Sequence, residues 1–331
     1  SLVDSFGRHV TYLRMSVTDR CDLRCTYCMA ENMTFLPKRD LLTLEELDQV
    51  AEAFIERGVK KIRITGGEPL VRKGVDKLFA QLGSRIGNGL DELTLTTNGT
   101  LLADFAERLA DAGVKRINVS LDTLDPEMFQ EITRRGDLNK VLNGLEVAQK
   151  AGLRIKLNTV ALKTQNLDEL PAMIEWAHAN DMDMTLIEVM PLGETGEDRV
   201  DQYVPLPVIE DRLAQKWTLE PLINDDKNSG PSRYVRVKET GGKLGFITPL
   251  TNNFCAGCNR IRLTCTGRIY MCLGQDNHVD LRKALRGEQP ISALDKELDK
   301  ALISKPERHE FSISKRNQEP ALARHMSTTG G

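Results

Sequence analysis

Short β-like runs of apolar residues alternate with amphipathic helical runs from Tyr12 to Met190, at a spacing of roughly 25 to 35 residues, the mark of repeated βα units and a parallel sheet. The runs predict strands at Tyr12 to Val17, Lys61 to Thr65, Glu92 to Thr96, Arg116 to Leu121, Arg154 to Val160 and Thr185 to Val189. Between them, Thr43-Leu44-Glu45-Glu46 opens a helical run that ends at Gly58, a capping-box-like start with a glycine stop. The same grammar recurs from Leu101 to Gly113 and from Leu138 to Gly152.

Six such units are too few for a closed eight-stranded barrel, so the expected fold is α/β: a partial (β/α)6 TIM-like barrel with a C-terminal α+β annex. The last third changes character. Pro191, Pro205 and Pro207 mark its start, a helix follows, and hairpin-like segments stand at Tyr234 to Val237 and Leu244 to Thr248. The boundary is expected near residues 195 to 205, giving a barrel over 1–200 and an annex over 201–331 that covers the open side and mouth. No internal repeat or low-complexity tract interrupts the pattern.

Composition narrows the function. Charged residues are 28%, aromatics 5%, and the formal net charge is -3, a balance that gives no reason to expect nucleic acid or an anionic membrane as partner. With no membrane-length apolar run and no apolar leader, the chain reads as soluble and cytoplasmic. Of its seven cysteines, six stand in two tight groups far apart in sequence, which suits metal chemistry better than disulfides.

The first group, Cys21-x-x-x-Cys25-x-x-Cys28, follows the first strand, where barrel loops carry chemistry. Three thiolates hold three irons of a four-iron cluster and leave the fourth open. A structural zinc site would need a fourth ligand, and no His or further Cys lies nearby. With the aromatic Tyr27 before its last cysteine, the motif resembles that of the radical S-adenosylmethionine (SAM) superfamily. The resemblance implies that the open iron binds the amino and carboxylate groups of SAM, whose reductive cleavage yields a 5′-deoxyadenosyl radical. Thr65-Gly66-Gly67-Glu68-Pro69, one strand later, resembles the superfamily's SAM amino-group site. Its glycines would admit backbone close to a ligand and Glu68 would face an ammonium. Strand-end position also selects Thr96, Ser120 and Met190.

In the second group, Cys255, Cys258 and Cys272 offer another three-thiolate set, with Cys265 as a candidate fourth ligand. The spacing alone also admits a closed four-cysteine zinc site. Alternation from Arg260 to Cys265 puts Arg260, Arg262 and Thr264 on one face and Ile261, Leu263 and Cys265 on the other. A three-residue hairpin loop with Gly267 left-handed would place Cys272 on the arginine face; a two-residue turn would reverse it. Cys265 reads best as a buried structural cysteine.

At Tyr12-Leu13-Arg14-Met15-Ser16-Val17-Thr18-Asp19, Phe254-Cys255-Ala256-Gly257-Cys258-Asn259-Arg260-Ile261-Arg262 and the terminal Gly330-Gly331, the chain resembles the GTP 3′,8-cyclase family. The resemblance implies two [4Fe-4S] clusters, SAM on the first through Tyr27, Gly66, Gly67, Glu68, Ser120 and Met190, and GTP meeting the second. Arg14, Arg63, Thr96, Lys156, Arg260, Ile261 and Arg262 would contact GTP. Arg14, Gly330 and Gly331 would join the first cysteines as catalytic residues, the tail reaching the active site. It further implies C3′ hydrogen abstraction followed by attack on guanine C8, a reductant such as flavodoxin or ferredoxin, hand-over to cyclic pyranopterin monophosphate synthase, and a monomer or homodimer. One departure is Thr185, where the family often has an arginine. Two rivals make other demands: a radical SAM enzyme acting on a peptide needs an open groove, and a zinc module binding nucleic acid needs interleaved aromatics, of which only Tyr270 is near.

Overall fold

The structure, a computed structural model, describes residues 2–193, 199–223, 230–251, 255–309, 311 and 324–329. Six parallel strands, β1 (Tyr12–Ser16), β2 (Lys61–Thr65), β3 (Glu92–Thr97), β4 (Arg116–Ser120), β5 (Arg154–Ala161) and β6 (Asp183–Glu188), pair in sequence order with helices between them. They coincide with the six expected strands to within two residues at either end. The helix Leu44–Glu56 begins with the expected capping box, Thr43 and Glu46 each accepting from the other's backbone N–H.

The C-terminal third supplies β7 (Leu219–Pro221), β8 (Arg233–Val237), β9 (Lys243–Ile247), β10 (Arg260–Leu263), β11 (Arg268–Tyr270) and β12 (His278–Asp280). These strands extend both edges of the barrel sheet. β9 pairs parallel with β6 and carries β8 and β7 beyond it, while β10 pairs parallel with β1 and carries β11 and β12. One open sheet of twelve strands results.

This arrangement corrects the expectation that the annex caps the mouth. β10 aligns Arg260 with Tyr12 and Arg262 with Arg14, and Asn259 O accepts from Thr11 N and Tyr12 N. A parallel partner must enter where β1 enters, so Cys258, just before β10, lies at the N-terminal end of the barrel. The first cysteine group, just after β1, lies at the opposite end.

Strands β1, β2, β3 and β10 alternate. Leu13, Met15, Ile62, Ile64, Leu93, Leu95, Ile261 and Leu263 face outward into the helix layer and join one core with Leu47, Phe54, Leu78 and Phe79. The residues between them face inward and are polar: Arg260, Tyr12, Lys61 and Glu92 align in one row, and Arg262, Arg14, Arg63 and Thr94 in the next. Closed barrels ordinarily fill this space with branched apolar side chains. Here it is lined with charge. No described helix is long and apolar enough to cross a membrane.

Helix Leu138–Lys150 presses Gly144 against the loop after β3; a Cβ there would stand 2.7 Å from Gly99 O. Alanine ordinarily favours a helix over glycine by about 1 kcal/mol, but this contact is with backbone. Gly144→Ala is expected to destabilise the fold by about 2 kcal/mol in urea denaturation. A stabilised variant would contradict the packing described.

Candidate active site

The loop carrying Cys21, Cys25 and Cys28 is fastened to the helix Pro126–Thr133. Arg24 N and Thr26 N donate to Thr133 O and Ile132 O, each at 2.9 Å, and Cys28 N closes a turn on Cys25 O at 3.0 Å. Arg134 ends that helix at φ 63, a conformation that costs a side-chain-bearing residue. Its guanidinium donates to Arg24 O at 3.1 Å and Met29 O at 2.9 Å. Tyr27 donates its hydroxyl to Asp122 Oδ2 at 2.5 Å, and Asp122 Oδ1 accepts from Val160 N. Burial pushes the Asp122 carboxyl up to about 6.

Gly66 and Gly67 pack against the start of this same loop. Gly67 N donates to Thr18 O and Glu68 N to Arg20 O, and a Cβ on Gly67 would stand 2.3 Å from Arg20 O. The neighbouring βα loop thus makes a close approach that demands glycine, because adjacent parallel strands deliver their loops side by side. Glu68 is fully buried. Its Oε1 accepts from Thr97 Oγ1 at 2.7 Å and Leu70 N at 3.1 Å, and its Oε2 from Asn98 N at 2.6 Å. Burial raises this carboxyl to about 7. Ser120 closes β4 in register with Asn158, and Met190 lies two residues beyond β6.

Burial also pushes the Cys21 thiol up, reinforced by the Glu68 carboxylate, and does the same for Cys25 with Asp122 adding to it. Leu23 N donates to Cys21 Sγ at 3.4 Å, as does Asn98 Nδ2 at 3.7 Å.

Between the two ends lie the inward cations. Arg63 Nε donates to Tyr12 Oη at 2.6 Å, and Arg63 Nη1 reaches Leu95 O at 3.1 Å and Thr96 Oγ1 at 3.4 Å. Arg14 Nη1 donates to the same Tyr12 Oη at 3.3 Å, while Arg14 Nε, shielded from solvent, has no hydrogen-bond partner among the described residues. Burial and the charges of Arg63 and Arg260 pull Arg14 down to about 10, with Tyr12 opposing them. Arg262 is lowered further, by burial and then by Arg14 and Arg260. Lys156 donates to Tyr234 Oη at 2.8 Å. Thr185, fully buried, sits in register with Asn158 on one side and Gly245 on the other, with Tyr234 next in that row. Ile261 points into the outer core, so only its backbone is available to the interior.

At the far end, Cys255 to Gly257 form a short 3-10 turn that Cys258 N closes on Cys255 O. The hairpin has a three-residue loop: Thr264 N donates to Arg268 O, Gly267 is left-handed at φ 92, and Arg262 pairs with Tyr270. That register carries Cys272 opposite Arg260 on the arginine face. Cys265 lies in the loop itself, at the other end of β10 and so roughly 15 Å along the strand from Cys258. It is buried, and the charges bearing most on its thiol are Asp19 and Arg72. Arg8 Nη1 donates to Cys255 O at 2.9 Å. Buried Lys305 donates to Arg260 O at 2.9 Å, Met271 O at 2.8 Å and Cys258 Sγ at 3.6 Å. Burial alone would raise the Cys258 thiol, but Arg260 and Lys305 hold it at about 6.

A model of the radical SAM superfamily matches residues 15–200, and one described as Molybdenum Cofactor Synthesis C matches residues 182–311. A GTP 3',8-cyclase of Rhizobium etli is 61% identical over 330 residues, spanning 100% of this chain and 94% of the relative. One from Erythrobacter litoralis is likewise 61% identical, with 100% and 98% covered.

The chain belongs to the GTP 3',8-cyclase family.

Streptococcus suis SuiB bound to S-adenosylmethionine superposes with a TM-score of 0.64 at 17% identity, over 89% of this chain and 67% of that one, a likeness of fold. Membership of the GTP 3',8-cyclase family, within the radical SAM superfamily, implies an iron–sulfur cluster and SAM. The donors present fit such a cluster. Cys21, Cys25 and Cys28 supply three thiols from one short loop. A four-iron cluster takes each thiolate on a separate iron.

Several contributors to this family member's site escaped the sequence reading. Arg8, Lys61, Arg134 and Lys305 sit in ordinary charged stretches, and nothing in their spacing sets them apart. Tyr12 and Lys61 could have been found from strand alternation, which puts them on the same face as Arg14 and Arg63. Of the C-terminal tail, Arg324 lies over the Tyr270 ring at 4.2 Å and His325 Nδ1 is 3.3 Å from Cys28 O. Gly330, Gly331, Phe254 and part of the expected boundary, 195–198, lie outside the described residues.

The two ends should differ in thiol chemistry. In the metal-free chain near neutral pH, Cys258 is expected to be alkylated by iodoacetamide ahead of Cys21 and Cys25, because the thiolate is the nucleophile. Its labelling should fall as the pH drops through about 6. Mass-spectrometric mapping showing equal rates at all three would contradict these environments.

Proposed function

We propose that this chain converts GTP to 3′,8-cyclo-7,8-dihydroguanosine 5′-triphosphate, an early step toward the molybdenum cofactor, with two [4Fe-4S] clusters. One observation carries the proposal: a row of inward guanidiniums, Arg262, Arg14 and Arg63, lies between two three-cysteine sets at opposite ends of the barrel. A nucleoside triphosphate matches that row in charge. An open iron at each end suits SAM at Cys21, Cys25 and Cys28, and the guanine base at Cys255, Cys258 and Cys272.

A reduced cluster held by Cys21, Cys25 and Cys28 would supply one electron to cleave SAM to methionine and the 5′-deoxyadenosyl radical. That radical would take the ribose C3′ hydrogen, C3′ would bond to guanine C8, and a further electron from the reductant, with a proton, would give the 7,8-dihydro product. Everything else falls to the protein. Glu68, buried and near neutral pH in its titration, accepts the SAM ammonium, whose charge favours its ionised form. Gly66 and Gly67 fix the strand-end loop that carries it. Tyr27, Ser120 and Met190 complete the SAM side of the pocket. Arg14, Arg63, Thr96 and Lys156, with Arg260, Arg262 and the Ile261 backbone, orient GTP and exclude water. A primary carbon radical needs positioning more than further activation. Gly330 and Gly331 serve catalysis together with Arg14, as in the family. Thr185, with the Lys156–Tyr234 pair beside it, takes the place of the arginine usual in the family.

The same reading divides the chain into 1–200 and 201–331. It calls for flavodoxin or ferredoxin as reductant, passes the product to cyclic pyranopterin monophosphate synthase, and assigns a cytoplasmic monomer or homodimer that binds neither nucleic acid nor membrane.

Anaerobic reconstitution with iron and sulfide is expected to load about eight irons per chain, and addition of GTP and SAM to yield the cyclised nucleotide with 5′-deoxyadenosine. One zinc per chain without SAM cleavage would overturn the proposal. Cys265→Ser should keep both clusters, whereas Cys272→Ser should halve the iron; loss of iron from the Cys265 variant would show that the ligand set is wrong.

A further inference from the structure

The inward cations raise a question that their partners answer only in part. Among the carboxylates, Glu92 enters the lower row, yet it already serves Lys61 at 3.3 Å and Arg116 at 2.6 Å. Arg14 and Arg63 instead converge on one neutral-looking atom, the phenolic oxygen of Tyr12. Arg63 Nε approaches it at 2.6 Å and Arg14 Nη1 at 3.3 Å, from neighbouring strands, and Lys61 Nζ stands 5.0 Å from the centre of the ring. The ring itself is only 2% exposed.

We infer that Tyr12 is a positioning residue for the phosphate end of the substrate: its oxygen sets the Arg14 and Arg63 guanidiniums side by side and acts as their counter-charge before the substrate enters. The inference rests on the proposal that GTP occupies this interior. Three features support it. Arg63 is clamped at three points, by Tyr12 Oη, Leu95 O and Thr96 Oγ1, so its unshared edge has a defined direction. Arg14 leaves its buried Nε without a partner among the described residues, a donor still available to an incoming acceptor. Burial would raise the Tyr12 hydroxyl, but Arg63, Arg14 and Lys61 outweigh it and pull it down to about 6, so they favour negative charge on that oxygen.

A tyrosine that merely filled the core would be replaceable by phenylalanine with an equal effect on every ligand. A positioning tyrosine predicts an effect that grows with the phosphate count. The test is Tyr12→Phe in the reconstituted holoenzyme, measuring dissociation constants for GTP, GDP, GMP and guanosine, together with KM and kcat for GTP. Loss of a charge-assisted contact on two guanidiniums should weaken GTP about tenfold, GDP less, and guanosine hardly at all, with KM rising more than kcat falls. An equal loss across the four ligands, or none, overturns the inference. If the wild-type chain itself binds GTP no better than guanosine, the occupancy of the interior by GTP fails first. Iron content is read in every sample, and 3-fluorotyrosine at position 12, which keeps the oxygen, should restore the phosphate dependence if the phenylalanine variant fails to load.

Discussion

Three guanidiniums in a single row across neighbouring strands, with only strand-to-strand spacing between them, are the constraint to which the rest of the molecule answers. Strands in a sheet lie about 4.8 Å apart, and like charges that close in a poorly solvated interior repel strongly. The row persists because Arg63 is held by Tyr12, Leu95 O and Thr96, and Arg14 by Tyr12, while Lys61 in the next row is met by Glu92. An acidic protein overall can thus keep a basic interior, since its surplus carboxylates stand on the outside of the helices.

The two cysteine ends are built differently, and the difference follows from what surrounds them. The first group lies among carboxylates, Glu68, Asp22 and Asp122, and burial pushes the Cys21 and Cys25 thiols up. At the second, Arg260 and Lys305 pull the Cys258 thiol down against its burial, while burial raises Cys272. Metal binding requires thiolates, so a metal held by Cys21 and Cys25 would have to displace their protons, whereas Cys258 is nearer the thiolate beforehand. The first loop is correspondingly over-determined, with Arg134 held in an unfavourable backbone conformation to brace it.

Much of this was readable from the chain. The βα rhythm located the barrel, the cysteine spacing picked out two groups that the structure sets at opposite ends of it, and the family resemblance named Arg14, Arg63 and Arg262, which the structure aligns in one row. What the chain could not display was which side of the sheet its last strands would join. Nothing local to Arg260-Ile261-Arg262-Leu263 says that it pairs with Tyr12-Leu13-Arg14-Met15 in parallel, and so the annex was expected over the mouth when it lies at the edges and the far end. That Gly66 and Gly67 also pack on the Thr18 to Arg20 backbone was hidden for a related reason: those residues are remote in sequence. Lys305 and Arg134 were invisible because each looks like any surface cation until the fold brings a carbonyl to it.

The pairing of β10 with β1 also has a bearing on how the molecule is made. Nearly 250 residues separate the two strands, so on a ribosome the first strand emerges long before its partner exists. Until then the barrel has an unpaired edge, and the Arg14 to Arg63 pair lacks the lining that later encloses it. Long-range parallel pairing is slow and leaves edges open to wrong partners. The order of synthesis thereby leaves the β1 edge, with Tyr12 and Arg14 on it, without its partner strand for most of the chain's translation.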